Sequence, residues 1–151
     1  MAQPKPKVGV ASDGELLHYS VGSFVRDELG RYLLFERKFE PFGWASVAGH
    51  MDEGEDDPRA AMLREGREEI GTELLHLDFL TEEEVLGNHC YRASNHYWHL
   101  FEARVRAHDV RVDDHEAGKR GWFTRDEVAA LELEPVWRHW FTKFGIIGAR
   151  A

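Results

Sequence analysis

Cysteine is nearly absent. Cys90 is the only one in 151 residues, so no internal disulfide can form, and a reducing, cytoplasmic setting is expected. Long hydrophobic runs are missing too: nothing approaches the roughly 20 apolar residues of a membrane span. The opening stretch MAQPKPKVGVASDGELL has two lysines but no apolar core, which argues against a secretory signal. Positive charge is in the minority, with 19 Lys and Arg against 28 Asp and Glu and a net charge of −9. A chain of that sign is poorly suited to grip a nucleic acid polymer through its phosphates. It is better suited to recruiting divalent cations and meeting an anionic small molecule through them.

A hydrophobic content of 42% with 12% aromatics is that of one globular domain with a sizeable core. Residues 1–16 are polar, hold Pro4, Pro6 and the turn pair Asp13-Gly14, and are expected to form a flexible arm, with at most a short strand at its end. The domain is expected over 17–151. From His18, HYSVGSFVRD alternates as a strand, Glu28-Leu29-Gly30 turns the chain, and RYLLFERK returns it, so residues 18–38 read as a hairpin. A loop punctuated by Gly and Pro follows, with one short strand near Ala45 to Ala48.

Asp57-Pro58 is a helix start, with Asp as N-cap and Pro in the first helical position, and Gly71 is its stop. Two strands are expected after it, Leu74 to Val85 and one from His96 in HYWHLFEARVRA, then a short last strand in GWFT. Thr124 and Glu127 form a capping box ahead of RDEVAALEL. In PVWRHWFTKFGII, Val136, Trp137, Trp140, Phe141, Phe144 and Ile147 share one helical face, which reads as core. Strands before and after a helix, with hairpins among them, predict an α/β sandwich with a mixed sheet.

The central helix carries the run REGREE. At about 100° per residue, counting Ala60 as zero, Glu68, Glu65 and Glu69 fall at roughly 80°, 140° and 180°, with Ala61 between them. Met62, Gly66, Ile70 and Leu63 span the opposite arc, roughly 200° to 300°, and are expected to face the core. Charge runs on helices are usually solvated surface. Three clustered carboxylates repel each other, however, and hard oxygen donors at this spacing suit Mg²⁺ or Mn²⁺.

The residues upstream favour the metal. Gly49, Glu55, Arg64-Glu65, Glu68-Glu69 and Gly71 together resemble the Nudix box, G-x5-E-x7-R-E-U-x-E-E-x-G-U, where U is a bulky aliphatic. The flanks are similar as well: a strand ending in Arg37, Trp44 shortly before the glycine, and WFTRDEV after a Gly-rich loop. There are departures. Eight residues separate Glu55 from Arg64 where the family has seven, so Asp56 competes with Glu55 for the register. Gly66 and Thr72 stand where aliphatics are usual, and Ala48-Gly49 replaces a common Gly-Gly.

The resemblance implies a Nudix α/β/α sandwich and hydrolysis of a diphosphate linkage in a nucleoside diphosphate joined to another moiety. It further implies that Glu65, Glu68 and Glu69 bind Mg²⁺, with Mn²⁺ as a substitute, that the Gly49 carbonyl adds a ligand, and that Arg64 orients a box glutamate. The general base is either a box glutamate or Glu116 on a later loop. Arg37 and Lys38 are candidates for the diphosphate. Phe42, Trp44 and Tyr97 are candidates for base stacking, with Trp44 preferred, although core packing competes for each. Homodimers are common among such relatives.

Two other functions compete: a catalytically weak nucleotide-binding module of the same fold, and an isopentenyl diphosphate isomerase, for which Cys90 is poorly placed. His89, His96 and His99 are expected to serve surface, cavity or ligand-binding roles, since His96 and His99 fall on opposite faces of a strand and no cysteine pair accompanies them.

Overall fold

The computed structural model describes residues 5–90, 93–111 and 117–148. Its centre is β2 (Leu16–Arg26), which has neighbours on both edges. On one side it lies parallel to β7 (Ala93–Arg104), in register from Leu17 opposite Asn95 to Arg26 opposite Arg104. On the other it pairs antiparallel, in succession, with β1 (Val8–Val10), β5 (Val47–His50) and the start of β3 (Tyr32–Arg37). Outer strands complete the sheet: β6 (Leu75–Cys90) beside β7, and both β4 (Trp44–Ala45) and β8 (Ala117–Phe123) beside β3. The result is a mixed eight-stranded sheet, as the alternation of elements predicts.

Side chains alternate across this sheet, so each face builds its own core. Val21 and Val25 of β2 join Val47, Met51, Phe101 and Ala103 beneath α1 (Pro58–Ile70). Phe24 projects the other way, to Trp98, Leu100, α2 (Arg125–Ala130) and α3 (Pro135–Lys143). Trp137, Trp140 and Phe141 of α3 are fully buried there, and Phe24 lies 4.8 Å from Phe141 and 5.7 Å from Trp137, centroid to centroid. Helices on both faces make an α/β/α sandwich. The aromatic face read from PVWRHWFTKFGII is core from Val136 to Phe141, but α3 ends at Lys143, so the half-buried Phe144 and the buried Ile147 reach the same core from the turn beyond the helix.

Local signals explain the helix ends. The Asp57 carboxylate accepts from Arg59 N–H, Pro58 opens the helix, and Gly71 closes it with φ 67°, a conformation that costs glycine little. Thr124 and Glu127 make the reciprocal capping box at α2. The strands depart more from expectation. The single strand expected near Ala45 to Ala48 is two, because the chain changes partner: β4 pairs with β3, and β5 with β2. Ser46 sits at the break, and its hydroxyl donates to the Ser23 carbonyl at 2.6 Å. β6 continues past Val85 to Cys90, carried by its pairing with β7.

On α1 the core arc is wider than the helical wheel predicts. Met62, Gly66 and Ile70 are buried as expected, but Leu63 is half-buried and Glu65 is buried. Gly66 has a packing reason: a Cβ there would lie 2.7 Å from Leu74 Cγ. Leu74 takes the room that an aliphatic would use. Gly66→Ala therefore sets a helix-propensity gain of about 1 kcal/mol against an overpacking cost of about 1–3 kcal/mol. A net loss of stability is expected in urea unfolding, and the loss caused by Gly66→Ala should shrink or vanish when it is measured in a Leu74→Ala background; a more stable single variant would contradict the packing account.

Candidate metal and substrate site

β5 and the loop after it deliver the chain to the N-terminus of α1, and Glu55 stiffens that loop. Its carboxylate accepts Asp52 N–H at 2.6 Å and takes two hydrogen bonds from Arg64, Nε at 3.0 Å and Nη2 at 2.8 Å. Those bonds, the Arg64 pair first, hold the Glu55 carboxyl below its ordinary range. Asp56, the competing acid for this register, is almost wholly exposed and lies 4.0 Å from Lys7. Glu55 takes the arginine.

Arg64 does more than pair with Glu55. Its Nη1 donates to Glu65 Oε1 at 2.9 Å and to Glu68 Oε2 at 3.1 Å, and Nη2 donates to the His50 carbonyl at 3.1 Å. Asp52 Oδ2 is 3.6 Å away. One guanidinium thus joins strand, loop and helix.

Glu65 is only 8% exposed. Its burial is made possible by Gly49, where any Cβ would lie 2.1 Å from the Glu65 Cδ. The glycine is the cradle for the carboxylate. Desolvation pushes the Glu65 carboxyl up to about 7, against the opposing pull of Arg64. Glu68 is exposed, and Glu69, half-buried, stands one turn beyond Glu65. The donor set is therefore carboxylate oxygen beside a backbone strand, with one carboxylate under a desolvation penalty that a cation relieves. Hard divalent ions fit it.

The other sequence candidates stand on other elements: Arg37 on β3, Trp44 on β4, Tyr97 on β7, and Lys38 and Phe42 in the loop between β3 and β4. Arg37 ends β3, and its Nε donates to the Pro41 carbonyl at 2.7 Å. Lys38 is exposed beside it. Trp44 is half-buried with its ring 5.3 Å from Phe123, and its backbone bonds both Glu132 and Glu134. Phe42 is exposed and Tyr97 half-buried. Glu134 was not singled out from sequence. Burial pushes its carboxyl up to about 7, with Arg37 opposing. Glu116 lies outside the described residues, as does the side chain of His89.

His96 and His99 do face opposite sides of β7. His99 is beside the Ser20 carbonyl and Glu82, whereas His96 meets His18 and His50. The sequence reading missed that grouping, because its members are brought together only by pairing between distant strands.

A family model, the NUDIX domain, matches residues 16–144. The chain belongs to the Nudix family. By that membership it is classed as a Nudix hydrolase. No curated protein matches it significantly, but many solved structures share its fold. The MutT protein from Methanosarcina mazei Go1 is 21% identical, with 95% of this chain and 96% of that one covered and a TM-score of 0.70. An Ap4A hydrolase from C. elegans is 20% identical, with 84% and 94% covered and a TM-score of 0.64. The NUDIX domain of Shewanella oneidensis NrtR, complexed with ADP ribose, is 13% identical, with 83% and 86% covered and a TM-score of 0.66. These likenesses establish the Nudix fold.

Within the Nudix helix the raised Glu65 pKa has a signed consequence. A folded-state value of about 7 stands above the ordinary unfolded value, so the folded chain holds the extra proton between about pH 4.5 and 7. The penalty is absent below that window and complete above it. In EDTA, Glu65→Gln is expected to stabilise the protein at pH 8 by on the order of 2 kcal/mol and to change little at pH 5. Equal effects at both pH values in thermal melts would contradict this.

Proposed function

We propose that the chain is a Mg²⁺-dependent hydrolase, with Mn²⁺ as a substitute, that cleaves a diphosphate linkage in a nucleoside diphosphate joined to another moiety. The observation that carries this reading is the Glu65 carboxylate, buried against Gly49 and held by Arg64. A buried acid with that much desolvation is a poor surface residue and a good cation ligand.

Glu65, Glu68 and Glu69 are assigned as the metal ligands, with the Gly49 carbonyl contributing. A bound divalent ion supplies phosphate charge neutralisation and a more acidic water. Arg64 is the positioning residue: it fixes the direction of two of the three carboxylates while Glu55 holds the arginine. The base that takes the proton from water is a box glutamate or Glu116. Arg37 and Lys38 are assigned to the diphosphate, and Trp44 to the nucleoside end.

The substrate class is a small nucleotide derivative, in keeping with the Ap4A and ADP ribose named for the relatives; a nucleic acid polymer does not suit the charge of −9. No helix among the described residues is long and apolar enough to cross a membrane, and we assign the protein to the cytoplasm, with a homodimer as the assembly to test first.

A hydrolysis screen with Mg²⁺ over ADP-ribose, dinucleoside polyphosphates, NADH, oxidised nucleotides and sugar nucleotides tests the proposal. At least one substrate is expected to turn over, and Glu69→Gln to lower its kcat by about 100-fold or more, the scale of losing a preorganised electrostatic contribution. Tight nucleotide binding without turnover, in either Mg²⁺ or Mn²⁺, would favour the binding module instead.

A further inference from the structure

β5 carries two kinds of ligand on its two sides. Gly49 opens toward α1 and Glu65, whereas the next residue, His50, projects to the opposite face. There it meets His18 of β2 and His96 of β7, which are paired directly across the parallel strands. One nitrogen from each ring can be chosen so that all three lie within 4.8 Å of one another. His50 Nε2 and His96 Nε2 are already 3.2 Å apart. Two imidazoles on a tetrahedral cation with bonds of about 2.0–2.1 Å place their nitrogens roughly 3.3 Å apart, so that pair needs almost no movement.

We propose that His18, His50 and His96 form a second metal site, for a borderline transition-metal dication such as Zn²⁺ or Co²⁺, separate from the carboxylate site. Donor chemistry separates the two. Imidazole favours Zn²⁺, Co²⁺ and Ni²⁺, while carboxylate oxygen favours Mg²⁺ and Mn²⁺. The surroundings suit the heavier ions. His18 is 1% and His96 4% exposed, and Trp98 lies 6.4 Å from the His96 ring, so the cation would sit beside an apolar wall. His50 is only partly buried and gives the ion its approach. A hydrogen bond between His50 and His96 accounts for their spacing, but it does not call for a third imidazole stacked edge-on at 4.7 Å from His50. Three protein ligands leave a fourth position for water. The strands they come from, β2, β5 and β7, would be cross-linked by the bound ion.

The test uses tag-free, chelator-treated full-length protein titrated with Co²⁺ in excess Mg²⁺, which occupies the oxygen site. One equivalent of Co²⁺ is expected to give the visible d–d absorption of a four-coordinate ion. Zn²⁺ should displace it and raise the melting temperature. His50→Gln and His96→Gln are each expected to weaken Co²⁺ binding by tenfold or more, whereas Glu69→Gln should leave the absorption unchanged. His50→Gln, at the part-exposed position, decides the matter if His96→Gln does not fold. Absence of the absorption in folded wild-type protein, its persistence in folded His50→Gln, or its loss in Glu69→Gln would overturn the proposal. None of these readouts depends on turnover, so failure here leaves the hydrolase reading standing, and the reverse also holds.

Discussion

The Arg64 guanidinium is the interaction on which the site depends. It has five N–H donors in a fixed plane, and five hydrogen bonds are recorded for them: two to Glu55, one each to Glu65 and Glu68, and one to the His50 carbonyl. Because the plane is rigid, these bonds fix the relative placement of β5, the loop after it and α1 at once. A lysine, with a point charge and three donors, cannot satisfy the same set.

Charge explains why the arrangement is unfinished by itself. Three carboxylates against one guanidinium leave an excess of negative charge, and Glu65 carries it in a desolvated place. Without a counterion the folded chain relieves part of that strain by holding a proton on Glu65 near neutral pH. A divalent cation relieves it better. Clustering that would be a defect on a plain helix thus becomes affinity for a metal, and the clash that any Gly49 side chain would make with Glu65 keeps the two segments matched.

Much of this was legible in the sequence, for local reasons. Asp57-Pro58 and Gly71 set the Nudix helix through local capping chemistry, and the aromatic spacing of α3 identified its buried face. The helical wheel erred at Glu65 and Leu63, because a wheel ranks side chains by polarity and does not see that Gly49, sixteen positions earlier, leaves a cavity for a carboxylate. Nor could periodicity reveal that β4 and β5 part company at Ser46, since both halves carry the same strand propensity. The grouping of His18, His50 and His96 depends on the pairing of three strands, one of them parallel, and the alternation within each strand assigns a face without saying which residue of a distant strand stands opposite.

The most direct test of the central claim is Mn²⁺ affinity, read by electron paramagnetic resonance, in wild-type protein and in Arg64→Lys. The substitution keeps the charge and removes the fork. If the fork is what aims the glutamates, Arg64→Lys will weaken Mn²⁺ binding by tenfold or more while the protein stays folded. Unchanged affinity in a folded variant would mean that the glutamate site is built without it.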